Sequence, residues 1–135
     1  MSADGCTVLG GTFPDDYSRS VVLAVTFADV DIDHRYSARA MWDRYCETHG
    51  KPPSRRLWRR MYEDRRNLAI SSASTNRSKG DRGPHEWCPS SPSARRRAAA
   101  PYRAQAERYG LSINDQEEAG LRAWERGECL AEEVP

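Results

Sequence analysis

The chain has 135 residues, only 38% of them hydrophobic, and a mean hydropathy of −0.86. That length holds a single domain with a modest core, part of it loosely packed. No run approaches the roughly 20 apolar residues of a membrane span. The opening MSADGCTVLGG has neither the basic stretch nor the apolar stretch of a secretory signal, so a cytoplasmic protein is expected.

Net charge is +1, unevenly spread. Residues 1–34 balance at −5, residues 35–110 at +11 and residues 111–135 at −5. A basic middle between acidic ends reads either as a phosphate-facing surface or as solvated helix faces. All but two of the basic residues, Lys51 and Lys79, are arginine, the side chain suited to bidentate phosphate contacts.

In chain order, Gly10-Gly11 and Pro14-Asp15-Asp16 punctuate a turn-rich start. Val21–Phe27 and Val30–His34 read as strands, with a turn or bulge at Ala28–Asp29. From Ser37 to Thr48 the apolar residues Ala38, Met41, Trp42 and Tyr45 fall at helical spacing, and Gly50 with Pro52-Pro53 ends the helix. A second helix starts at Pro53 or Ser54, with Leu57, Trp58, Met61 and Tyr62 as its core stripe and Arg55, Arg56, Arg59 and Arg60 on its other side. Asn67–Ser71 is a short candidate strand. The following stretch, ISSASTNRSKGD, has the composition of a linker. Ser93–Tyr109 looks helical, interrupted or begun near Pro101. A last helix is capped by Asn114 or Asp115, with Leu121 and Trp124 inward.

The four cysteines, Cys6, Cys46, Cys88 and Cys129, have no CxxC spacing. They read as ordinary free thiols in a reducing compartment, and structural zinc is not expected. His49 and His85 read as exposed loop residues rather than ligands.

Three features stand in chain order: Asp31-Ile32-Asp33-His34 ending a strand, Asn67 opening another, and Asn76 with Lys79 in the polar stretch. Phosphodiester hydrolysis needs an activated water, a cation on the phosphate and a stabilised leaving oxygen. Histidine suits a general base near neutral pH, and a carboxylate with an amide oxygen suits Mg²⁺. Neighbours on a regular strand point to opposite faces, so Asp33 and His34 share one site only where the strand ends or bends.

The segments DIDH, NLAISSASTNRSKGD and EWCP together resemble the HNH, or ββα-metal, nuclease motif in its His-Asn-Asn form. The pattern is similar to that of the C-terminal domain of GmrSD-like restriction enzymes. The HNH module of RNA-guided CRISPR nucleases has a similar D-x-D-H and the same nine-residue step between its asparagines, here Asn67 and Asn76. GGTFPDDYS near the start and RYGLSIND near the end resemble the flanks of that family, and the chain's beginning close to the motif leaves room for a preceding portion.

The resemblance implies an α+β fold: a ββα-metal hairpin-plus-helix core over about residues 20–90, with further helices over 91–135, all in one domain. The linker-like run becomes the active-site helix, capped by Ser72 or Ser74 and stopped by Gly80. His34 would be the general base, and Asn67 would brace the loop that aims it. Asp33 and Asn76 would hold one divalent ion, Mg²⁺ with Mn²⁺ as substitute. Lys79, Arg77 and Arg35 would meet the substrate phosphate. Where the family follows its D-H with two aliphatic residues and a proline, this chain has Arg35, Tyr36 and Ser37. The lost proline is expected to loosen the turn that aims His34.

The implied activity is metal-dependent endonucleolytic hydrolysis of DNA, double-stranded DNA being the expected form. The alternative is a catalytically weak or inactive HNH scaffold that binds nucleic acid or serves as a partner subunit of a restriction or phage packaging complex.

Overall fold

The computed structural model describes residues 11–14, 16–17, 21–24 and 30–131. Among them the chain is α+β, with two small antiparallel sheets and five α-helices.

β1 (Gly11–Pro14) pairs with β2 (Val21–Ala24), Gly11 opposite Ala24 and Pro14 opposite Val21. The turn-rich start is therefore a strand, which corrects the sequence reading. Glycine and proline lower local strand propensity, but a pairing partner further along the chain overrides them, and Pro14 sits at the strand end. The turn or bulge expected at Ala28–Asp29 lies outside the described residues.

β3 (Val30–His34) pairs with β4 (Leu68–Ser72), Ile32 opposite Ile70 and His34 opposite Leu68. The two strands are joined through α1 (Ala38–His49), α2 (Arg55–Tyr62) and a 3₁₀ turn, Arg65–Asn67, rather than by a tight turn. Strand alternation assigns Asp31, Asp33, Ala69 and Ser71 to one face, and Ile32, His34, Leu68 and Ile70 to the other. Asp33, Ala69 and Ser71 are buried, whereas Ile32 is 67% exposed. The polar side faces inward because α3 (Ala73–Lys79) packs on both strands.

Helix ends follow local chemistry. Ser37 caps α1 by accepting from the Ala40 N–H, and Gly50 closes it at φ +72°. Ser54 caps α2 through the Leu57 N–H. The linker-like run is the helix α3: the Ser72 hydroxyl accepts from the Thr75 N–H, and Gly80 takes φ +52° at its end. α4 (Pro92–Arg108) runs unbroken through Pro101. α5 (Asp115–Glu125) starts with a capping box between Asn114 and Glu117.

The core joins Tyr36, Met41, Met61, Tyr102, Leu121 and Trp124 with the alanine face of α4. Tyr36 stacks on Tyr102 at 4.3 Å, so the loop leaving β3 is anchored in this core. Gly120 lets α5 approach the backbone at Pro84, which a Cβ would meet at 2.5 Å. The second helix is less buried than its stripe predicts: Met61 is buried, Leu57 and Trp58 are half-buried, and Tyr62 is exposed.

Cys88 and Cys129 form a disulfide across 41 residues, with Cα atoms 5.9 Å apart. This corrects the expectation of ordinary free thiols. Their distance in sequence hid a proximity that only the packing of α4 and α5 creates. Cys46 is free, and Cys6 lies outside the described residues. No helix among the described residues is long and apolar enough to cross a membrane.

Much of the basic middle is neutralised internally. Arg103 meets Glu118 at 2.7 Å and Glu125 at 2.8 Å, Arg44 meets Glu117 at 2.7 Å, and Arg108 lies 3.4 Å from Asp64. Arg95 donates to the carbonyls of Pro89 and Gly127.

Candidate functional site

Three elements, β3, the start of α1 and the end of α3, meet at the C-terminal end of β3. A cavity of about 230 Å³ there is lined by Asp33, His34, Ser37, Asn76, Gly80 and Asp81, together with Ile32 and Ala38. Asp33 and His34 thus share it despite pointing to opposite faces of the strand. β3 ends at His34, where the chain turns at once into α1.

Asn67 fixes that turn. It is fully buried; its Oδ1 accepts from the Tyr36 N–H at 2.8 Å, and its Nδ2 donates to the Tyr36 carbonyl at 3.0 Å. Its own carbonyl accepts from the Arg35 N–H at 2.7 Å. Both backbone groups of Tyr36 are held, so the missing proline does not leave this turn loose. Ser37 then starts α1, and stacking on Tyr102 pins the Tyr36 ring.

His34 has one ring nitrogen engaged. Its Nε2 lies 2.8 Å from the Tyr62 carbonyl oxygen. A carbonyl only accepts, so that bond places the hydrogen on Nε2 and leaves the lone pair on Nδ1. The Tyr62 ring lies against the imidazole at 4.4 Å.

α3 brings Asn76 against the acidic face of β3. Asn76 Nδ2 donates to Asp31 Oδ2 at 2.9 Å. That bond fixes the orientation of the amide and leaves its Oδ1 without a hydrogen-bond partner among the described residues. Asp33 is buried, and Oδ2 takes both of its bonds, one from the Tyr17 hydroxyl and one from Lys79 Nζ at 3.0 Å. Its Oδ1 is likewise unengaged among the described residues. Burial pushes the Tyr17 phenol up, and the Asp33 charge reinforces the shift, so Tyr17 stays a proton donor.

Lys79 departs from its expected place. It is 1% exposed, and Nζ also donates to the His34 carbonyl at 2.9 Å. Burial pushes its ammonium below the usual lysine range, with the Asp33 carboxylate opposing the shift. The side chain lies behind Asp33 and braces it, so its expected contact with a substrate phosphate is corrected. A short polar helix must cover the carboxylate side of the sheet, and the lysine is its neutralising partner. Arg35 also turns inward: its side chain is 15% exposed, lies over the Tyr17 ring at 5.7 Å and sits 3.9 Å from Asp16. Of the three cations expected at the phosphate, only Arg77 is exposed.

The sequence motifs assign Tyr17 no role, whereas Trp87 belongs to the EWCP segment. Tyr17 reaches Asp33 from sixteen residues upstream, and Trp87 packs edge-on against Tyr17 at 5.4 Å while donating to Ser78. Asp31, in the sequence only the first member of D-x-D-H, is the residue that orients Asn76. Strand alternation carried that signal, since Asp31 and Asp33 must share a face.

Among the described residues, no three His, Cys, Asp or Glu side chains converge as a metal-holding group. The cavity lining includes the Asp33 and Asp81 carboxylates and the Asn76 amide, oxygen donors of the kind a hard cation retaining most of its waters takes. Comparison with known protein families, with curated proteins and with solved structures gives no match.

Proposed function

We propose that this chain is a metal-dependent endonuclease of the HNH, ββα-metal type, acting on DNA. The observation that carries the reading is the meeting of Asp33, His34 and Asn76 at one cavity, with the His34 Nδ1 lone pair meeting no partner among the described residues.

In this reading His34 Nδ1 takes the proton of the attacking water. The Tyr62 carbonyl, accepting from Nε2, stabilises the imidazolium that forms. Asn67 keeps the ring aimed by holding Tyr36. Asp33 Oδ1 and Asn76 Oδ1 would hold Mg²⁺ or Mn²⁺, which supplies charge neutralisation at the phosphate and the leaving oxygen. Asp31 orients Asn76, while Tyr17 and Lys79 orient Asp33. Arg77, exposed on α3, takes a phosphate oxygen. The products are ends bearing 5′-phosphate.

One observation favours the binding-scaffold alternative: the Lys79 ammonium already sits on Asp33 and lowers the negative charge available to a cation. Supercoiled plasmid incubated with protein in Mg²⁺, in Mn²⁺ and in EDTA separates the two. The nuclease reading expects nicking with either metal and none in EDTA. Salt-sensitive DNA binding without nicking under any of the three conditions, by protein shown to be folded, supports the scaffold and refutes the enzyme.

A further inference from the structure

The outer face of the β3–β4 sheet continues into an aromatic row that the catalytic cavity does not use. Tyr62, whose ring is tilted at 48° against that of His34, is 47% exposed. Trp58 lies 5.9 Å from Tyr62, and Trp42 meets Trp58 edge-on at 5.1 Å. Beside the row opens a second cavity of about 360 Å³, lined by Ile32, His34, Tyr62, Glu63, Arg65 and Leu68.

At about 100° per residue along α2, Arg55 and Arg59 fall next to Trp58 and Tyr62, and Arg56 and Arg60 lie further round. All four arginines are exposed, and among the described residues none is in an ion pair. By contrast, Arg44, Arg103 and Arg108 all meet carboxylates. Four unneutralised guanidiniums on a helix of eight residues repel one another, and a polyanion relieves that repulsion. An aromatic face beside them offers stacking to a base. The cavity walls are mainly apolar, from Ile32, Tyr62 and Leu68, with His34, Glu63 and Arg65 as the polar members, and the Glu63 carboxylate can accept from a base N–H. The base is therefore the part of a nucleotide suited to the cavity, and the backbone is the part suited to the arginines. Bases in a duplex keep their faces stacked on each other, whereas an unpaired strand exposes them.

We propose that this surface binds single-stranded DNA, stacking an unpaired base on Tyr62 beside the Ile32–Leu68 cavity while Arg55 and Arg59 hold the flanking phosphates. The choice of DNA rests on the nuclease reading; the preference for an unpaired strand rests on the aromatic row.

The test is fluorescence anisotropy of labelled oligo(dT), a DNA hairpin duplex and oligo(rU) with the full chain in EDTA, over a series of salt concentrations. Oligo(dT) is expected to bind at least about tenfold more tightly than the duplex. Tyr62→Ala should weaken oligo(dT) binding about 5- to 150-fold, and Tyr62→Phe should restore it. The double variant Arg55→Gln/Arg59→Gln should make the salt dependence shallower by about 1.4 in log–log slope. Equal or tighter binding of the duplex, an unaffected Tyr62→Ala, tighter binding of oligo(rU), or no binding of any oligonucleotide overturns the proposal. Since Tyr62 is half-exposed, both of its variants are expected to fold, and circular dichroism checks this. Plasmid nicking in Mg²⁺ without single-strand preference in EDTA refutes this surface alone. Single-strand binding in EDTA without nicking in Mg²⁺ refutes the nuclease reading alone.

Discussion

Replacing Asn67 with alanine removes the clamp on Tyr36. The wild-type side chain satisfies the Tyr36 N–H at 2.8 Å and the Tyr36 carbonyl at 3.0 Å, in a position with no solvent access. Water cannot replace either bond without opening the core. Each orphaned buried group costs about 1–3 kcal/mol, so the pair costs about 2–6 kcal/mol. With a urea dependence of about 2 kcal/mol per molar for a domain of this size, the unfolding midpoint should fall by about 1–3 M. Four tryptophans give the fluorescence signal for that measurement. Asn67→Asp sharpens the argument: it retains an acceptor for the Tyr36 N–H but turns a carboxylate oxygen toward the Tyr36 carbonyl. Its destabilisation should therefore ease as the solution is acidified. A midpoint shift below about 0.3 M for Asn67→Ala would refute the clamp and show that Tyr36 is held by its stacking on Tyr102 alone.

Lys79→Ala leaves the Asp33 carboxylate buried beside an empty space, and urea unfolding should show a loss of about 3–5 kcal/mol; a loss under about 1 kcal/mol would mean the lysine is a surface group. The disulfide closes a loop of 41 residues, for which the loop-closure relation gives about 4 kcal/mol. Cys88→Ser/Cys129→Ser should lower the Tm by about 10–20 °C in calorimetry, and an unchanged Tm would contradict the pairing. Hydrogen bonds from Arg103 and then Arg122 hold the Glu118 carboxyl at about 2, below its ordinary 4.5. Its stabilising effect is therefore complete above about pH 4.5 and is lost as pH falls toward 2. Glu118→Gln should flatten the Tm profile across that window and cost no more than about 1 kcal/mol at pH 7, because the ion pair is partly exposed; an unaltered profile would refute the assignment.

What was legible in the sequence was local. Serine before an apolar period and glycine after it marked both ends of α1. For α3 the composition reads as a linker, and the helix, with Ser72 or Ser74 as cap and Gly80 as stop, is expected only through the family resemblance; the structure shows the helix with Ser72 as its cap. Period-two alternation put Asp31 and Asp33 on one face of β3. What stayed hidden depends on segments far apart in sequence. The partner of β3 comes from residues 68–72, after two intervening helices. Tyr17 reaches Asp33 from an upstream turn, and Cys88 meets Cys129 only after α4 and α5 pack together. Lys79 shows the same limit at the site itself. Its spacing from Asn76 placed both on one helix turn, but no pattern in the sequence told whether that turn faced solvent or the Asp33 carboxylate. The arginines divided for the same reason: Arg103 on α4 and Arg44 on α1 found carboxylates on α5, while those on α2 found none among the described residues.

The most direct test of the account is the initial rate of plasmid nicking in Mg²⁺ for His34→Ala and Asn76→Ala beside the wild type, each at a verified folded fraction. Both substitutions touch the cavity and neither removes a core contact. The account predicts Mg²⁺-dependent nicking by the wild type and a fall of about a hundredfold or more in each variant. Nicking at the wild-type rate by either one would contradict it.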